Sequence, residues 1–135
     1  MIKSFRDLEV WRKSHELAQG IFDLTETFPR SYLFDLVTQL RRAALSVPAN
    51  IAEGCATSHS KELIQFLNIS KRSVSEVQYL LFFACERKLL QEDGFHVLDA
   101  RYEEINRMLG GLQRSLRESQ VTRFNTRHSS LTTRH

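Results

Sequence analysis

Leu33-Phe34-Asp35-Leu36-Val37-Thr38-Gln39-Leu40-Arg41-Arg42-Ala43-Ala44-Leu45-Ser46-Val47-Pro48-Ala49-Asn50-Ile51 is the stretch on which the fold turns. Leu33, Val37, Leu40, Ala44, Val47 and Ile51 follow one another in steps of four and three. That spacing returns to one face of a helix at each turn, whereas on a strand it would scatter over both faces. Pro48 falls inside the pattern. It removes a backbone donor and collides with the carbonyl four residues back, so a kink is expected rather than a straight rod. The segment stops near Gly54, and Ala56-Thr57-Ser58-His59 is a polar connection.

Three further segments carry the same period. Upstream, Val10, Leu17 and Leu24 recur at sevens, flanked by Trp11, Ile21 and Phe28. Ser4 is the expected N-cap, with Asp7 three residues on, and Pro29 forces an end, because the residue before proline is pushed out of the helical region. Downstream, Leu63, Phe66, Leu67, Val74, Val77, Leu81 and Ala84 predict a helix from Lys61 to Leu90, spanning about 45 Å and the longest of the chain. Gln91-Glu92-Asp93-Gly94 separates it from a fourth helix with the register Leu98, Tyr102, Ile105, Leu109, Leu112, Leu116. Gly110-Gly111 inside that helix costs about 1 kcal/mol per glycine relative to alanine, and permits close approach of a neighbour. Short connections favour antiparallel neighbours. The expected fold is therefore all-α: an antiparallel up-down-up-down four-helix bundle with a kinked second helix. A three-helix arrangement would need two segments to fuse, against Pro29 and Gly94.

Composition agrees. Hydrophobic residues make up 41% and charged residues 26% of the 135 residues, and Gly and Pro are scarce. The pattern near the N-terminus is amphipathic rather than that of an export signal, and Cys55 and Cys85 are too few for a disulfide framework. A cytoplasmic, non-membrane location with reduced thiols follows as the expectation. The net charge of +3 lies in the last 16 residues, where Arg123, Arg127 and Arg134 stand without an acid; residues 1–119 hold 16 basic and 16 acidic side chains. The chain thus divides into a neutral bundle, 1–119, and a basic tail, 120–135, expected to be disordered or loosely helical at its start.

On a helical wheel the second helix has a second apolar strip. Phe34, Leu45, Ala49, Ala52 and Ala56 lie between the core face and a polar stripe of Gln39, Arg42, Ser46, Asn50 and Glu53. A helix buried on one side has no use for that strip. A subunit interface would use it, because small residues let helices approach closely.

The run from Gln39 to Gly54 resembles the signature of the four-helix-bundle proteins encoded within intervening sequences of bacterial 23S ribosomal RNA genes. Phe5-Arg6-Asp7-Leu8-Glu9-Val10-Trp11, Phe28-Pro29, Lys61-Glu62-Leu63-Ile64-Gln65-Phe66-Leu67 and Ser73-Val74-Ser75-Glu76 add to the resemblance, which covers roughly residues 4 to 116. Arg72 departs from the pattern, standing where the family usually has a small residue. The tail after Glu118 has no counterpart. The resemblance implies a cytoplasmic bundle that assembles as a ring, a pentamer. It also implies similarity to accessory proteins of diversity-generating retroelements, which bind a reverse transcriptase and nucleic acid.

The residues themselves supply no reaction. A ferritin-like metal site needs Glu-x-x-His motifs. The nearest approaches, Asp93-x-x-His96 and His59-x-x-Glu62, fall at a connection and in reverse order. A glycine-rich phosphate loop is absent, and neither a cofactor nor an enzymatic activity is expected. Arg41, Arg42, Asn50 and Glu53, with Glu76 on the next helix, are expected to form a charge and hydrogen-bond clamp at a helix or subunit junction. In the tail, Arg123, Arg127 and Arg134 with Phe124 have the composition of a weak contact to RNA or DNA. Two readings stand: a homo-oligomeric bundle that binds nucleic acid as an accessory factor, and an oligomeric scaffold that docks a protein partner.

Overall fold

The computed structural model describes residues 4–132, with side chains through residue 121. Among the described residues there are four α-helices and no strand: α1 Glu9–Glu26, α2 Thr38–Cys55, α3 Ser60–Glu86 and α4 Glu92–Thr132. α2 packs on α1 and α3, α3 on α2 and α4, and α4 closes back on α1. The direction alternates. The end of α2 meets the start of α3 at Gly54 and Leu63, and Ile64 pairs with Gln113 while Gln78 pairs with Asp99. The up-down-up-down bundle expected from the sequence is the one observed.

Helix boundaries show where local chemistry overrides the hydrophobic period. Ser4 does cap, but it caps a short 3-10 turn, Phe5–Asp7, by accepting from the Arg6 amide; α1 itself starts at Glu9 after an extended Leu8. α2 is entered through a 3-10 turn at Arg30–Tyr32 and one wide π turn, Leu33–Val37. It then runs without interruption through Pro48. α3 ends four residues before the expected Leu90. Lys88 takes a left-handed φ of 63°, its amide donates to the Cys85 carbonyl, and the Leu89 amide donates to the Ala84 carbonyl. This is a Schellman termination with lysine where glycine is usual. Leu89 and Leu90 then fold back on the core. α4, not α3, is the longest helix, at 41 residues against 27.

The division at 119/120 coincides with no break in α4. What changes there is packing: Leu116 is the last half-buried residue, and 117–121 are exposed.

The core is continuous along the bundle. Ile21 from α1, Leu40, Val47 and Ile51 from α2, Leu67, Val74 and Leu81 from α3, and Tyr102, Ile105 and Leu109 from α4 are fully buried. At roughly 1.5–3 kcal/mol per fully buried large apolar side chain, these layers dominate the stabilising side of the balance.

Candidate functional site

The second helix carries most of the sequence-derived candidates, and its surroundings sort them. Leu36, Val37, Leu40, Ala44, Val47 and Ile51 are buried as the wheel requires. Around Pro48 a polar seam joins α2 to α3. The Ser70 hydroxyl donates to the Val47 carbonyl (2.9 Å), and the Ser73 hydroxyl pairs with that of Ser46 (2.7 Å). Asn50 donates back to the Ser46 carbonyl and hydroxyl (2.8 and 3.0 Å). Near its end, Gly54 brings the backbone so close to α3 that a Cβ would stand 2.7 Å from Leu63 Cδ1 and 2.9 Å from Phe66 Cβ.

Within the single chain the five-residue clamp does not assemble. Arg41 turns to α1, where its Nε donates to Thr25 Oγ1 (2.9 Å), its Nη2 to the Phe22 carbonyl (3.4 Å), and its guanidinium lies 4.8 Å over the Phe22 ring. A cation at the C-terminal end of α1 also meets the negative end of that helix dipole. Asn50 is taken up by Ser46. Arg42, Glu53 and Glu76 are exposed, and among the described residues none of them makes an ion pair.

The apolar strip is uncovered. Phe34 is 88% exposed and Leu45 49%; Ala49 and Ala56 are exposed and Ala52 is half-buried. Beside it, Tyr32 and Leu36 face Tyr79, Leu80 and Phe83 across a groove of about 430 Å3, with Arg87 donating to the Tyr32 hydroxyl at its edge (3.0 Å).

The opposite seam, between α1 and α4, is open. A groove of about 510 Å3 is floored by Leu17, Leu98 and Ile105 and rimmed by Lys13, Arg101 and Glu104. A Cβ on Gly20 would meet nothing within 4 Å. Lys13 bridges the rim to Glu104 at 2.8 Å. That hydrogen bond lowers the Glu104 carboxyl and raises the Lys13 ammonium relative to their ordinary values.

Two features escaped the sequence reading. Gln113 is 2% exposed and hydrogen-bonded to α3, although the heptad register places Leu112 inward. The signal was there in the drift of a straight 3.6-residue helix against a seven-residue repeat, which carries the core line from Leu109 to Gln113. The phenol oxygen of Tyr102 is buried with no hydrogen-bond partner among the described residues, and burial pushes its pKa well above the ordinary value. Cys55 and Cys85 are half-buried free thiols, and burial pushes Cys55 up. His15 is half-buried and stacks on Trp11, ring centroids 4.8 Å apart. Among the described residues no helix is long and apolar enough to cross a membrane, and no three His, Cys, Asp or Glu side chains gather as metal ligands. The contacts expected of Arg123, Phe124, Arg127 and Arg134 lie outside the described side chains.

Fold and surface together define a four-helix bundle whose distinctive surfaces are the outside of α2 and the groove between α1 and α4. The model of the 23S rRNA-intervening sequence protein family matches residues 6–111, and the chain belongs to that family. A crystal structure of a protein with unknown function from the S23 ribosomal protein family of Bacteroides thetaiotaomicron is similar, with a TM-score of 0.72 at 25% identity, covering 77% of this chain and 97% of that one. No curated protein matches the chain.

Proposed function

We propose that this protein is a non-enzymatic, cytoplasmic homo-oligomer that binds nucleic acid as an accessory factor. The observation that carries the reading is the uncovered apolar strip on α2. Phe34 is 88% exposed and Leu45 49%, in line with the small side chains of Ala49 and Ala52. An apolar row of this kind on an otherwise charged surface marks a place where protein is covered by protein. The strip and the aromatic groove beside it are different surfaces; a copy that seats its strip in the next copy's groove makes a heterologous contact, which gives a ring when the rotation between copies closes. A pentameric ring is the form the family resemblance implies. Such a ring gathers several basic tails in one place, and weak phosphate contacts then add through effective concentration.

The second reading, a ring that docks a protein partner, is favoured by the groove between Tyr32, Leu36, Tyr79 and Phe83, whose lining is largely apolar. Sedimentation velocity with a fluorescein-labelled structured RNA, at low and moderate salt, separates the readings. The expected result is a species several times heavier than one chain that carries RNA at low salt and releases it as salt rises. An assembled species indifferent to RNA would favour the protein-docking scaffold. A lone chain that binds nothing would overturn both.

A further inference from the structure

The cleft between the outer sides of α3 and α4 combines two cations with three neutral polar side chains, and one of these, Asn106, holds a buried Oδ1 with no hydrogen-bond partner among the described residues. The cleft measures about 340 Å3 and is lined by Asn68, Lys71, Arg72, Ser75 and Asn106. Buried Gln113 organises it from beneath. Its Nε2 donates to the Ile64 carbonyl (3.1 Å) and to Asn68 Oδ1 (2.8 Å), and its Oε1 accepts from Lys71 Nζ (3.4 Å). With its oxygen taken, Asn68 has its NH2 left for the cleft. Lys71 spends one of its three ammonium protons on Gln113 and keeps two. Arg114 does not line the cleft but approaches Lys71 at its edge, over Gly110. Lys71 Nζ and Arg114 Nη1 lie 3.9 and 3.8 Å from the point where a Cβ on Gly110 would stand.

This positive charge makes no ion pair among the described residues. Among the described residues the ion pairs are made by Arg12 and Lys13 with Glu9, Glu16 and Glu104, so no carboxylate comes within 4.0 Å of Lys71, Arg72 or Arg114. Glu76 and Glu118, one turn from Arg72 and Arg114, are exposed and pair with neither. Two exposed guanidinium forks and an ammonium held by a buried amide are groups that recognise phosphate oxygens. The neutral sum over residues 1–119 hides this local excess.

We propose that this cleft binds a phosphate group of a nucleic-acid backbone, through Lys71, Arg72 and Arg114. The proposal rests on the nucleic-acid reading above and adds a contact on the folded body to those of the tail. The lining residues offer no aromatic surface on which a base would stack, so the cleft holds backbone and leaves sequence unread.

The test is fluorescence anisotropy with labelled single-stranded RNA and DNA oligonucleotides of one sequence. It compares the intact protein, a Lys71→Gln/Arg72→Gln/Arg114→Gln variant, a Lys61→Gln variant as a charge control, and a chain stopped after Ser119. The expected result for the triple variant is binding about tenfold weaker at low salt, with a salt slope shallower by about 0.7 for each phosphate contact removed. Lys61→Gln should bind as the parent does, and the stopped chain should retain a salt-dependent part that the triple substitution abolishes. Exposed Arg72 alone, as Arg72→Gln, serves if the triple variant melts below the parent. Unchanged affinity and slope in the cleft variants, with binding lost only in the stopped chain, would overturn the proposal and leave the nucleic-acid reading standing on the tail. If neither oligonucleotide binds the parent, that reading falls. Inorganic tripolyphosphate then decides the cleft through the NMR signals of the Asn68 amide and the Arg72 backbone: specific shifts keep the phosphate chemistry, and unmoved signals overturn it.

Discussion

α2 has two apolar faces, and they have opposite fates. On one, Leu40, Ala44, Val47 and Ile51 are completely buried between α1 and α3. On the other, Phe34 and Leu45 stand in solvent next to Ala49 and Ala56. Both faces have the helical period, so periodicity alone does not tell them apart. Side-chain size does better. The core face carries the branched residues that fill the bundle, while the outer strip has Phe34 and Leu45 toward its start and only alanine after them. On the proposed reading the first face belongs to folding and the second to assembly. If that division holds, damage to the first should unfold the chain, and damage to the second should leave it folded but alone.

The largest effects therefore belong to the covered side. Leu40→Ala should cost about 2–5 kcal/mol, since a fully buried leucine leaves a cavity that its neighbours cannot wholly fill. Urea denaturation followed by circular dichroism measures it. Gly54→Ala, a change that helps most helices, should instead destabilise by about 1–3 kcal/mol, because the new methyl meets Phe66 Cβ, which cannot swing aside. A stabilised Gly54→Ala would break the picture of a tight α2–α3 seam.

On the opposite, open seam the same substitution should have the other sign. Gly20→Ala finds nothing within 4 Å and should gain up to about 1 kcal/mol from helix propensity. Tyr102→Phe should gain about 1 kcal/mol by removing a buried hydroxyl that has no partner among the described residues. The pH dependence carries its own check. Because burial raises the Tyr102 phenol above its ordinary value, its contribution is fully present below about pH 10 and is lost as pH climbs beyond it, when the unfolded chain ionises first. Tyr102→Phe should flatten that alkaline loss in melts between neutral pH and pH 11.

The smallest effect is expected at Lys13 and Glu104. Their hydrogen bond depresses the Glu104 carboxyl, so its contribution is present above the ordinary carboxylate range and fades as pH falls through the lowered value. Both side chains face solvent, so Glu104→Gln should move the melting temperature less than any change above and should lose its effect in high salt.

Much of this was legible in the sequence, and the parts that were not have local causes. Leu98, Tyr102, Ile105 and Leu109 announced α4, and Pro29 announced the end of α1, because both signals act through the backbone of a single helix. The early stop of α3 was hidden because Lys88, a residue with no turn signature, takes a conformation that favours glycine. Proximity along one helix points Arg41 toward a clamp with Asn50 and Glu53. Its actual partners, Thr25 and the Phe22 carbonyl, are on another helix and become visible only once α1 and α2 are packed. The cleft over Gly110 was invisible for the same reason. Lys71, Gln113 and Arg114 come together only across two antiparallel helices.

The most direct test of the division between the two faces of α2 is the mass of the native protein in solution, by light scattering after size exclusion, for the intact chain and for Leu45→Glu. The expected result is a multiple of the 15.7 kDa chain for the parent. For the variant it is a single chain with an unchanged helical spectrum and cooperative melting. A parent that elutes as one chain, or a Leu45→Glu protein that keeps the parent's mass, would contradict the assignment of the outer strip to self-association.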